Sequence, residues 1–129
     1  MISGKRGFTL IEVLIAMFIL VVALLGLLSL STMVIKGNSF SKTTTMATTL
    51  AKDKLEDIKN KSYDNIVSAT DYATSNGVVS TTSTGAYYTR TCTVTPDSPA
   101  ANMKSISVQV AWLWNGTSRS MSTSTIISR

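Results

Sequence analysis

The chain has 129 residues, room for one domain of ordinary size and not for a second full core. It has no histidine and one cysteine, Cys92, which excludes Ser-His-Asp and Cys-His catalysis, the commonest metal ligand, and an intrachain disulfide. The formal charge is +5, but Lys5 and Arg6 precede the apolar run, and the remaining +3 combines Glu12 with a +4 spread from Lys36 to Arg129 without a dense cluster, a weak basis for binding nucleic acid.

Apolar residues are concentrated at one end. From Phe8 to Leu28 the sequence reads FTLIEVLIAMFILVVALLGLL, with Glu12 its only charge. As a helix these residues would be about 31 Å long, matching a bilayer core of about 30 Å. Lys5 and Arg6 flank one end and the nearest charge beyond the other is Lys36, so the positive-inside bias leaves the N-terminus in the cytoplasm and the rest outside. A secretory signal peptide cut near Ser29-Leu30-Ser31 and a plain single-span anchor are the bland alternatives. Against the first stands the length of the run, since signal cores span about 7–15 residues. Against both stand a carboxylate five residues into the run and the Gly7-Phe8 boundary before it. An acidic side chain in a bilayer costs about 2.5–3.5 kcal/mol even on lenient scales, so Glu12 needs a partner. Cleavage between Gly7 and Phe8 would create one: the α-amino group of Phe8, four residues away or on a neighbouring subunit.

Gly7-Phe8-Thr9-Leu10-Ile11-Glu12-Val13, behind Lys5-Arg6, resembles the type IV prepilin cleavage and methylation motif. The resemblance implies that a prepilin peptidase cuts after Gly7, that Phe8 is N-methylated, and that Glu12 is the assembly residue that sets register. It also implies an α+β pilin-like fold, with a long N-terminal helix packed on an antiparallel sheet of three or four strands. The function implied is structural rather than enzymatic, with no cofactor and no metal.

Beyond the apolar run, Met33, Gly37, Phe40, Thr44, Ala47, Ala51, Leu55 and Ile58 continue one helical stripe, thickened by Leu50. Lys52, Asp53, Glu56, Asp57 and Lys59 occupy the other face, and Asp57–Lys61 is spaced as an i,i+4 pair. Gly26, Ser29, Ser31 and Thr32 weaken helix propensity midway, where local melting on assembly is expected. Ser68 to Ala86 reads as an exposed surface connection with a short strand around Val78-Val79. Tyr88, Arg90, Cys92 and Val94 then alternate with threonines, Pro96-Asp97-Ser98-Pro99 breaks the chain, and Ile106, Val108, Val110 and Trp112 alternate with smaller residues. Asn115-Gly116 is a hairpin turn, after which Met121, Thr123, Thr125 and Ile127 face the helix. Cys92 and Trp112 are expected in the core and Trp114 at the sheet edge.

These readings divide the chain into a leader, 1–7; a membrane or filament-core helix half, 8–35; and an extracytoplasmic domain, 36–129. Within that domain the helix runs to about 61, the connection spans 62–86 and the sheet 87–129. The run Leu50-Ala51-Lys52-Asp53-Lys54-Leu55-Glu56-Asp57-Ile58-Lys59, with Tyr63-Asp64-Asn65-Ile66 and Val108-Gln109-Val110-Ala111-Trp112, is similar to minor pilins of the PilV, or type IV pilus modification, kind. I-type pseudopilins of type II secretion are similar in the same places, and a DNA-uptake pilin is a third alternative. Implied partners are major and minor pilin subunits, prepilin peptidase and the inner-membrane assembly platform. The implied location is the inner membrane as a single-pass precursor, then a pilus or periplasmic pseudopilus.

Overall fold

The computed structural model describes residues 7–129. Lys5 and Arg6, expected as the basic part of the leader, lie outside the described residues. Helix α1 spans Leu10–Lys59, and the chain divides into two units between Ser39 and Phe40.

In the first unit every large apolar side chain of α1 from Leu10 to Ile35 is exposed. Its most apolar stretch is long enough to cross a membrane, and none of that stretch is buried against protein. The helix is continuous through Gly26 and Ser29–Thr32. The hydroxyls there are absorbed by the helix itself: Ser31 donates to the Leu27 carbonyl at 3.0 Å and Thr32 to that of Ser29 at 2.8 Å. Gly26 thus causes no break in the free chain.

The second unit comprises the rest of α1 and a five-stranded sheet. Its strands are β1 (Ala69–Ala73), β2 (Val79–Ser80), β3 (Tyr88–Pro96), β4 (Met103–Trp114) and β5 (Thr117–Ser128), in the order β2-β1-β3-β4-β5 and antiparallel throughout. Ala47, Leu50, Ala51, Leu55 and Ile58 of the helix pack on Tyr88, Cys92, Ile106, Val108, Val110 and Trp112 of the sheet. The alternating residues of β3 and β4 therefore face the helix as their period requires, and their Ser and Thr neighbours face outward. Met121, Thr123, Thr125 and Ile127 of β5 are half-buried on the same side.

Asn115 (φ 49°) and Gly116 (φ 75°) make the tight turn between β4 and β5, with Trp114 opposite Thr117. Both central residues have positive φ, the type I′ requirement that Asn-Gly meets at least cost. Trp114, expected at the sheet edge, lies at the end of the interior strand β4, where it meets Phe40 edge-on at 5.5 Å between ring centroids.

The α+β arrangement is as read from sequence, but the strand count is five. The strand not expected is β1; β2 falls at the short strand expected around Val78-Val79, and both lie inside the stretch read as an exposed connection. Asp71 and Ala73 of β1 point inward and are buried. The Asp57–Lys61 pair is not among the ion pairs of the described residues. The helix ends at Lys59, so Lys61 has left the helical face that would bring the two together.

Candidate functional site at the helix start

Gly7, Phe8 and Thr9 precede the first helical residue, Leu10. Thr9 caps the helix: its carbonyl accepts from Glu12 N at 3.1 Å and Val13 N at 3.3 Å, and its hydroxyl accepts from Glu12 N at 3.3 Å. Thr9 and Glu12 thus occupy the end positions of a capping box, S/T-x-x-E, with the acidic residue in the first turn, where the helix dipole favours negative charge. Only the Thr9 half of the box is made among the described residues; Thr9 N–H does not donate to the Glu12 carboxylate. Phe8 sits at the position before the cap, where an apolar residue commonly packs on the fifth residue along, here Val13. Both line one shallow apolar furrow with Ala16, Met17 and Leu20, and Glu12 stands in its wall.

Phe8 therefore lies just outside the helix rather than one regular turn below Glu12. It is 83% exposed. Among the described residues no heavy atom lies within 4 Å of where a Gly7 side chain would begin. Packing among the described residues thus does not require glycine at position 7. Glu12 has no cationic partner among the ion pairs of the described residues.

The chain's other ionic cluster is of a different kind. Asp71 accepts from Arg90 Nε at 2.5 Å and Nη2 at 2.9 Å, and from Lys54 Nζ at 2.5 Å. Arg90 Nη1 donates to the Leu50 carbonyl at 3.0 Å. Burial by itself would raise the Asp71 pKa, but the hydrogen bonds and charges of Arg90 and Lys54 outweigh it and hold the carboxyl below the usual carboxylate range. This clamp joins α1, β1 and β3, which is a structural task. Its signal in the sequence was Arg90 on the core-facing side of β3, where a guanidinium demands a carboxylate.

Cys92 is 2% exposed and burial pushes its thiol up, as suits an inert core residue. No group of three or more His, Cys, Asp or Glu side chains among the described residues is placed to hold a metal.

Residues 2–28 match the family model of the prokaryotic N-terminal methylation motif. The chain begins with a prepilin-type motif. The match takes in Gly7, Phe8 and Glu12 and ends at Leu28, so it covers most of the bare apolar part of α1 and none of the sheet. No curated protein and no solved structure gives a significant match to the chain. Together, the prepilin-type motif and the unburied apolar helix support a type IV pilin-like subunit that is membrane-anchored as a precursor and processed by prepilin peptidase.

Proposed function

We propose that the chain is a minor pilin of the PilV kind, a structural subunit built into a type IV pilus through the first unit of its helix. The observation that carries the proposal is Glu12, an acid inside an apolar helix stretch that is exposed among the described residues, within the matched prepilin-type motif. Cleavage after Gly7 frees the Phe8 amine, N-methylated by the same peptidase. When helices bundle away from water, each Glu12 is matched to an amine of its own or a neighbouring subunit. Helix packing supplies most of the association energy, and the carboxylate selects the stagger. A wrong register leaves a buried charge unpaired, at a cost of about 3–5 kcal/mol.

The leader is residues 1–7, the filament-core half 8–35, and the sheet domain lies outside the cytoplasm, meeting the assembly platform and other pilins. The similarity of the 50–59 segment to I-type pseudopilins supports a second reading, a subunit of a secretion pseudopilus. Recovery of the chain in sheared surface fibres favours the pilus, and retention in the periplasm favours the pseudopilus.

Glu12→Ala is the test. The variant is expected to insert and be cleaved as the native chain is, yet to be missing from filaments. Normal incorporation contradicts the role given to Glu12.

A further inference from the structure

The two ends of the sheet unit differ in charge. At one end Phe40, the first residue of the unit, meets the β4–β5 hairpin through Trp114. The Arg119 guanidinium lies 6.0 Å from the Phe40 ring centroid. Tyr88 donates to the Thr43 carbonyl at 3.1 Å and Tyr87 to that of Leu113 at 3.1 Å. The segments gathered here, 40–46, 74–89 and 112–120, contain Lys42 and Arg119 and no acidic residue. Lys36 precedes them by sequence, and Leu113 and Val78 stand exposed among the hydroxyls, at 63% and 64%. At the other end, about 37 Å away along β4, Asp64 and Asp97 mix with Lys104 and Arg129.

The charge-pure end is also where the chain enters the unit. Phe40 follows Ile35, the last of the exposed large apolar residues of the first unit, by five residues, at most about 18 Å of chain. Tryptophan and tyrosine beside lysine and arginine form the residue set that settles at a bilayer–water boundary, and basic side chains near a span draw anionic lipid.

We propose that this hairpin end docks on anionic phospholipid headgroups while the chain is anchored, holding the sheet unit against the bilayer until the subunit leaves it. Lys42 and Arg119 supply the attraction, and Leu113 and Trp114 dip into the boundary. The inference rests on the membrane-anchored reading given above, and flotation of the chain with vesicles tests that reading separately.

The test uses the full chain in vesicles containing one part phosphatidylglycerol to two of phosphatidylcholine by design, or phosphatidylcholine alone. A fluorophore is attached at Leu113→Cys or, as the opposite-end control, at Asn60→Cys; both sites are exposed. Lipid-borne quenchers are expected to reach the Leu113 probe and not the Asn60 probe in anionic vesicles. Charge reversal by Lys42→Glu with Arg119→Glu should lower the docked-to-free ratio by at least roughly thirtyfold. Amide exchange of residues 113–119 in the unsubstituted chain gives an independent reading, slower in anionic than in neutral vesicles. Equal quenching at both probes, quenching at Leu113 unchanged by charge reversal, or exchange that ignores lipid charge would overturn the proposal, even where the chain floats normally.

Discussion

One helix serves two solvents. Up to Ser39, α1 shows its apolar side chains on all sides and buries none; from Ala47 on, its apolar residues form one stripe closed by a sheet. The two stretches also carry their charges differently. Glu12 stands without an ion pair among the described residues, whereas Asp71 is enclosed by two cations on neighbouring elements. A charge that the fold satisfies is architecture. One without an ion pair among the described residues, in an apolar segment that no sheet covers, is what the proposed pairing with a processed amine or with another chain would answer.

The sharpest way to break this contrast is to disturb each charge in turn. Asp71→Ala leaves Arg90 and Lys54 enclosed without their carboxylate and is expected to cost about 3–5 kcal/mol in urea unfolding of the full chain in detergent. Glu12→Ala should leave that same unfolding curve unchanged. Equal destabilisation by the two variants would mean that Glu12 has a structural partner within the chain. Ile106→Ala, at a fully buried site, should lose about 2–5 kcal/mol, while Leu20→Ala in the bare stretch leaves the sheet unit unaffected.

Acid sharpens the comparison further. The Asp71 pKa is lower in the folded chain than in the unfolded one. Its contribution is therefore present above about pH 3.9 and is lost as the pH falls through the folded value. Asp71→Asn should be less stable at neutral pH, but with a flatter loss of stability between about pH 4 and pH 2, as followed by circular dichroism.

The smallest expected effect is at the turn after β1. Gly77 has φ 83°, and an added methyl would come within 2.9 Å of Met46 Sδ. Gly77→Ala should cost about 1–2 kcal/mol, whereas Gly26→Ala, in open space within the bare helix, should slightly favour that helix.

Much of this arrangement was legible in the residues. Helical period carried from Phe40 to Ile58, and strict alternation placed Tyr88, Cys92, Ile106, Val108, Val110 and Trp112 on one face. Strand β1 escaped because Ala-Thr-Asp-Tyr-Ala lacks the β-branched apolar alternation of a strand. What it turns inward is an acid and an alanine, so its pattern looks like a polar loop until the partner of Arg90 is sought. The Thr9–Glu12 capping box was also readable. It was overshadowed by the hydropathy of the run it opens, although it explains where α1 starts and why Phe8 lies outside it. Local sequence does not encode the partner proposed for Glu12, because pairing between chains would leave no period within one.

Mass spectrometry of the mature N-terminus bears most directly on the pilin reading. A chain beginning at Phe8 and carrying one methyl group on its amine, which adds the mass of one CH2, is expected. A product that keeps Met1, or one that starts beyond Leu28, would remove the cation proposed for Glu12 and with it the case for filament assembly.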